Sequence, residues 1–174
     1  MRTENGSGLL WYCVYVRPRH EFKVLERLVK AQKEAFLPSV HRLSKWKDRK
    51  KLVEFPLFPN YLFVRSIDGP EDKRLVLQTQ GVVCFVGSNH GGCGYESVPD
   101  EQIASLMKII ESKETVNPYP FLMEGHKVRV KRGPFAGVDG LLVKKKGLHK
   151  LVVLIDMLQQ GVSVEIDASD VDAV

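Results

Sequence analysis

Apolar residues change their spacing several times along the chain. Residues 10–16, Leu-Trp-Tyr-Cys-Val-Tyr-Val, are aromatic and β-branched and stop at Arg17-Pro18, which predicts a first strand. Pro18 suits the first turn of a helix. Phe22, Leu25, Leu28 and Val29 then fall at i, i+3, i+6 and i+7, predicting one amphipathic helix of about four turns. Phe36 to Val40 and Leu52 to Phe55 read as two strands joined by a charged hairpin or loop. Pro56 and Pro59 keep their own positions out of a central ladder, and the apolar run Tyr61 to Val64 follows as a strand. Pro70-Glu71-Asp72 starts a short helix, because acidic groups face its positive end. Residues 81–87 read as a strand between glycines, and 88–97 as a Gly-rich loop. Pro99-Asp100-Glu101 opens a helix whose stripe is Ile103, Leu106, Met107 and Ile110.

That order, β-α-β-β-α-β-α, is the split βαβ or ferredoxin-like plan. Between 111 and 120 the periodicity lapses, and Pro118 and Pro120 place a linker there. Beyond it come short β-branched runs at 128–130, 141–143, 151–155 and 162–166, punctuated by Gly133, Gly137, Gly140, Gly147 and Gly161. Such spacing predicts a small five-stranded β-barrel. Leu148, Leu151, Ile155 and Leu158 would also suit a helix, but the valines at 143, 152, 153, 162 and 164 and the interrupting glycines favour strands. The fold class expected is α+β. A flexible start at 1–8 leads to a ferredoxin-like domain at 9–112, a linker at 113–121 and the barrel at 122–174.

Composition narrows the function classes. Apolar residues make up 44% and charged residues 27% of the 174, which excludes a disordered or collagen-like chain. No apolar run approaches the ~18 residues a membrane-spanning helix needs, and Met1 to Gly8 is polar and carries Glu4, unlike a signal peptide. Cys13, Cys84 and Cys93 are few, odd in number and not in a CxxC arrangement, which suits reduced thiols in a cytoplasm. The net charge of +5 is unevenly spread. Residues 41–51 hold six Lys and Arg against one Asp, residues 126–150 eight against one, and residues 156–174 five acids and no base. Two basic patches of this kind attract a polyanion, and a nucleic-acid backbone is the commonest one in a cytoplasm. Their plain alternative is a solvated charged face.

The most specific stretch is Gly125 to Gly140, Gly-His-Lys-Val-Arg-Val-Lys-Arg-Gly-Pro-Phe-Ala-Gly-Val-Asp-Gly, which has the pattern of a KOW motif. Alternating strand residues lead into a turn that Pro134 stiffens and that pushes Phe135 out; the alternative is Phe135 packed inside the barrel. With Trp11-Tyr12, Pro56 to Val64, Gly81-Val82, Phe85-Val86-Gly87 and Pro99 in the same order, the chain resembles NusG-family transcription elongation and antitermination factors, with an NGN domain followed by a KOW domain. The resemblance runs from about residue 9 to the C-terminus. Asn60, where the general factor typically has Gly, the linker Val-Asn-Pro-Tyr-Pro and Asp156 to Gln160 in place of a Phe-Gly-Arg turn are more similar to the specialised, RfaH-type branch that controls polysaccharide gene clusters.

The resemblance implies that the NGN domain grips the clamp helices of the largest RNA polymerase subunit. The matching positions are Trp11, Tyr15, Phe58, Pro59, Tyr61, Phe63 and Phe85. A few buried aromatics commonly dominate an interface; the alternative for Trp11 and Phe63 is a plain core. It also implies that Arg17, Arg19, His20, Lys23 and Arg27 face the non-template DNA strand, with Gln80 where a relative has Arg. Asp72, Lys73 and Arg74 stand where the family's His-Thr-Thr contact to the opposite polymerase lobe would be. Lys45, Trp46 and Lys47 combine cations with an indole, as single-strand binders do, or belong to a solvated hairpin. Phe135, Lys131 and Arg132 are the positions expected to recruit a partner, which in the family is commonly ribosomal protein S-ten or termination factor Rho.

Enzymatic readings find little support. Cys84, His90 and Cys93 match no standard zinc spacing and lack a fourth ligand. The glycines of 87–94 make neither GxGxxG nor GxxxxGK[ST]. No catalysis, cofactor, metal or membrane partner is expected, and the chain reads as a cytoplasmic monomer. Two other readings stand beside the antiterminator: a KOW-containing RNA-binding protein of the ribosomal type, using Lys127 to Lys146 on RNA, and the general NusG factor.

Overall fold

The first predicted strand runs Leu9–Val16 (β1) in the computed structural model, which describes residues 8–45, 50–87, 92–112, 114–120 and 125–174. Helix α1 (Glu21–Lys30) follows, then β2 (Ala35–Phe36), β3 (Ser39–Lys45), β4 (Lys50–Pro56) and β5 (Tyr61–Ile67). Helix α2 (Pro70–Leu77), β6 (Val82–Phe85), β7 (Ser97–Val98) and α3 (Asp100–Glu111) complete the first two thirds. Contacts divide the chain into two compact units. One comprises Met1–Leu37 with Pro59–Asp100, the other Pro38–Phe58 with Glu101–Val174.

In the first unit the strands pair antiparallel in the order β2-β5-β1-β6, with β7 also beside β1. One face of this sheet holds the core. Tyr12, Val14 and Val16 of β1, Leu62 and Val64 of β5 and Phe85 of β6 pack with Val24 and Leu28 of α1 and Val76 of α2. Pro38 separates β2, which pairs β5, from β3, which pairs β4 in a sheet of two strands.

Helix α1 is shorter than expected and rotated. Its ten residues rise about 15 Å, under three turns, and Gln32 just beyond it has φ 58°. The buried line is Glu21, Val24 and Leu28, whereas Phe22 and Val29 are 38% and 55% exposed. Glu21 turns inward because its carboxylate accepts the Asn60 N–H at 3.0 Å, and the Asn60 carbonyl in turn accepts from Val16 N–H at 2.8 Å. Asn60 sits at φ 70°, a conformation that Gly and Asn adopt with least strain. Asn60→Gly is therefore expected to leave the urea unfolding midpoint nearly unchanged, while Asn60→Val costs about 1–2 kcal/mol; equal midpoints for the two variants would contradict this account of the turn.

The second unit carries the β3–β4 ladder, α3 and a six-stranded sheet. Its strands are β8 (Asn117–Pro120), β9 (His126–Val130), β10 (Asp139–Lys145), β11 (Leu148–Ile155), β12 (Gln160–Glu165) and β13 (Val171–Ala173), in the order β13-β9-β10-β11-β12-β8. The extra strand relative to the expected five is β8, which lies in residues expected to be linker and pairs β12. Pro118 and Pro120 are tolerated because β8 is an edge strand. Among the described residues no pairing joins β8 to β13. Lys146 and Gly147 both have positive φ and join β10 to β11 as a two-residue hairpin, so Leu148 and Leu151 lie on a strand and not a helix. Helix α3 buries Ile103, Leu106 and Ile109; Met107 and Ile110 are half-buried. Its Gln102 amide donates to Asp156 at 2.9 Å and its Lys108 ammonium to the Ala136 carbonyl.

Candidate functional site

The first sheet has a second apolar face. Successive side chains alternate sides along a strand, so Trp11, Cys13 and Tyr15 of β1 point away from the core of Tyr12, Val14 and Val16. The register sets Trp11 beside Arg65, Cys13 beside Phe63, and Tyr15 between Tyr61 and Cys84. The Tyr15 and Tyr61 rings lie 5.4 Å apart, Phe36 stacks on Phe63 at 6.3 Å, and the Arg65 guanidinium sits 5.8 Å from the Trp11 ring centre. Trp11 and Phe63 are buried, Tyr15 and Tyr61 half-buried and Pro59 exposed. Burial, with Cys13, Tyr15 and Cys84 nearby, raises the Tyr61 phenol above its ordinary range.

One residue expected in this set lies on the other side of the sheet. Phe85 pairs with Val14 and meets Tyr12 edge-on at 5.6 Å, on the core side of the sheet. Phe58 is buried and falls in the second compact unit.

The basic candidates gather where β1 ends and α1 begins. Arg17 N–H donates to the Gly81 carbonyl at 2.9 Å, and the Arg27 guanidinium donates to the Gln80 carbonyl. Arg17, Arg19, Lys23 and Gln80 are exposed, His20 and Arg27 half-buried. Trp46 and Lys47 lie outside the described residues, as does the side chain of Lys45. His90 of the rejected zinc reading also lies outside them.

Near α2, Lys73 lies between two rings, 4.7 Å from the Tyr12 centre and 5.1 Å from that of Tyr95, with its ammonium on Asp68 at 2.5 Å. The Lys73 and Tyr12 hydrogen bonds hold the Asp68 carboxyl below its usual range. Asp72 accepts from Lys33, from the Ser66 hydroxyl at 2.6 Å and from Ile67 N–H at 3.1 Å. Of the three residues at the His-Thr-Thr position, only Arg74 is exposed.

In the second unit, Phe135 is buried and not projected from its turn. The turn closes over it through Gly137 N–H to Val130 O at 2.7 Å and Val138 N–H to Phe135 O at 2.9 Å. Lys131 pairs with Asp172 at 2.7 Å, and Arg132 pairs with Asp170 at 3.3 Å and donates to Ser169 O. The acidic end is thus bound to two of the cations expected to recruit a partner. Lys144, Lys145, His126 and His149 instead line an open concavity of about 560 Å³ floored by Tyr119, over which Lys145 stands at 5.8 Å.

The sequence model of the family described as transcription termination factor NusG matches residues 9–107, more than half of the chain. The chain belongs to the NusG family. The transcription termination/antitermination proteins NusG of Staphylococcus aureus strains Mu50 and N315 are 27% identical to it over 180 residues, covering 98% of each chain. A solved structure concerned with domain interaction in Thermotoga maritima NusG shares its fold, with a TM-score of 0.53 at 23% identity over 95% of this chain and 97% of that one.

Within this NusG-family chain, the sequence signals that were missed are those created by pairing. Lys33 with Asp72, and Lys73 with two tyrosines, are separated along the chain and carry no local motif. Cys84 and Cys93, expected as reduced thiols with no disulfide, carry no local spacing that marks them as neighbours; among the described residues no group of three His, Cys, Asp or Glu is placed to hold a metal. No described helix is long and apolar enough to cross a membrane.

Proposed function

We propose that this NusG-family chain is a transcription elongation and antitermination factor that binds RNA polymerase and suppresses pausing and termination. The observation that carries the polymerase surface is the Tyr15–Tyr61 ring pair on the sheet face directed away from the core, flanked by Trp11 and Phe63. A tyrosine pair of this kind offers rigid apolar area with polar tips, the chemistry of interface anchors. The partner surface is the clamp helices of the largest subunit. Binding the active elongation complex better than the paused one shortens pauses by population shift. The exposed cluster Arg17, Arg19 and Lys23, with His20, Arg27 and Gln80 beside it, contacts the non-template strand. The strand order β2-β5-β1-β6, with β1 and β2 running the same way on either side of β5, supports the ferredoxin-like NGN reading. Residues 122–174 are the KOW domain, whose turn at Phe135 with Lys131 and Arg132 recruits a second protein such as ribosomal protein S-ten or termination factor Rho. The factor works as a cytoplasmic monomer.

The test is the lifetime of paused elongation complexes with the wild-type chain and with Tyr15→Ala/Tyr61→Ala. Wild type is expected to bind and shorten pauses. The double variant is expected to stay folded and bind at least tenfold more weakly, the effect of losing about 1.4 kcal/mol. Equal binding by both would overturn the assignment of this face, and no polymerase binding by wild type would overturn the function.

Asn60 and residues 156–160 support the specialised, RfaH-type branch. A second reading, the general NusG factor, is favoured by the full-length match to the S. aureus proteins. Pause suppression that requires one non-template sequence element marks the specialised branch, and suppression on any template marks the general factor.

A further inference from the structure

Cys84 and Cys93 come together where the segment before β7 returns against β6. Gly94 N–H donates to Phe85 O at 2.9 Å and Gly87 N–H to Gly92 O at 2.7 Å. Val86 and Cys93 therefore face each other between those bonds, as an antiparallel pair of the non-hydrogen-bonded kind, in which side chains approach most closely. Cys84 lies two residues before Val86, the partner of Cys93, and so on the same side of its strand. The backbones are unusually close here: a Cβ built on Gly87 would lie 2.8 Å from the Gly94 Cα, so only glycines allow the approach. Cys93 is exposed, Cys84 half-buried and Cys13 fully enclosed. Burial, with Cys93 beside it, pushes the Cys84 thiol up to about 11, which keeps it protonated at neutral pH.

We propose that Cys84 and Cys93 form an oxidisable dithiol site, which a peroxide converts to an intrachain disulfide. Exposure gives Cys93 the first step. Its thiolate attacks one peroxide oxygen, an S–O bond forms as the O–O bond breaks, and the released oxyanion takes a proton and leaves as water or an alcohol. The Cys84 sulfur then attacks the Cys93 sulfur, the S–O bond breaks, and hydroxide leaves as water with the thiol proton. With hydrogen peroxide, two thiols lose two protons and two electrons, and the oxidant becomes two waters. A dithiol reductant reverses the bond through a mixed disulfide. Cys84 is paired with Tyr15, so the new bond would fix the 92–94 return beside the Tyr15–Tyr61 pair. Any effect on polymerase rests on the function proposed above; the thiol chemistry does not.

The full chain, fully reduced, is treated with hydrogen peroxide, blocked with an alkylating reagent and mapped by mass spectrometry. The expected product has lost two hydrogens, carries a Cys84–Cys93 linked peptide and returns to the starting mass with dithiothreitol. Cys13 is alkylated only after denaturation. Cys84→Ser is expected to stop at a Cys93 sulfenic acid that dimedone traps, and Cys93→Ser to form no link. Continued alkylation of both residues after peroxide would overturn the proposal, as would intermolecular dimers through Cys93 in place of the internal link. Either result leaves the polymerase reading standing, because pause lifetimes are measured on the reduced chain.

Discussion

Phe85→Ala is expected to lower the unfolding free energy by about 3–5 kcal/mol, the range for removing a buried Phe side chain. The ring is 2% exposed. It packs among Tyr12, Val14 and the apolar faces of α1 and α2, edge-on to Tyr12 at 5.6 Å and tilted against Tyr95 at 5.3 Å. Truncation removes the transfer free energy of the ring and leaves a cavity that the paired backbone of β1 and β6 limits in collapsing. Urea unfolding should show a lower midpoint with an unchanged slope. A loss below about 1 kcal/mol would contradict the placement of Phe85 in the core. At a temperature where the variant remains folded, its polymerase affinity should match wild type, whereas Tyr15→Ala/Tyr61→Ala should show the opposite separation.

Asp72→Ala is expected to cost about 2–3 kcal/mol at neutral pH, the range for losing hydrogen bonds to a charged group in a partly buried setting. The carboxylate gathers Lys33, the Ser66 hydroxyl and Ile67 N–H. The Lys33 and Asp72 side chains are only 19% and 15% exposed, so solvent compensates poorly for the lost partner. Burial alone would raise the Asp72 pKa, but Lys33, Ser66 and Ile67 outweigh it and hold it below the ordinary 3.8. A folded pKa below the unfolded one stabilises the protein above the unfolded value, and that contribution is lost as pH falls through the folded value. The stability gap between wild type and Asp72→Ala should therefore be full at pH 7 and shrink below about pH 4. Urea midpoints at several pH values measure it, and a gap that stays constant into acid would show that the charge of Asp72 contributes nothing.

Strands β1, β5 and β6 and helix α2 were legible because each is an apolar or acidic-capped run bounded by Pro or Gly. The inward face of α1 was not, because Glu21 is drawn in by the backbone of Asn60, 39 residues away. Two-residue strands such as β2 and β7 are too short to show a period, and β8 was concealed by its prolines. At the candidate site the residue types were readable and their sides were not. Both faces of β1 are apolar, so alternation could not separate Phe85, on the core side, from Tyr15 and Tyr61. Only the register with β5 and β6 does. The Gly-Pro-Phe-Ala-Gly turn formed where its glycines required, but its ring went inward, because a Phe gains more from burial than a turn gains from projecting it.

The pairing of the acidic C-terminal residues with Lys131 and Arg132 makes the six-stranded sheet electrically lopsided. Arg129 is also neutralised, by Asp139 at 2.6 Å, so the cations near the 130–139 end all have counterions of their own. Lys144, Lys145 and Lys146, at the far end of β10 and its hairpin, have no acidic partner among the described residues. The separation amounts to a fixed dipole along β10, which exerts a torque on an approaching polyanion as well as a pull. A polyanion that met this unit would be drawn toward the β10–β11 hairpin and not toward the neutralised 130–139 end.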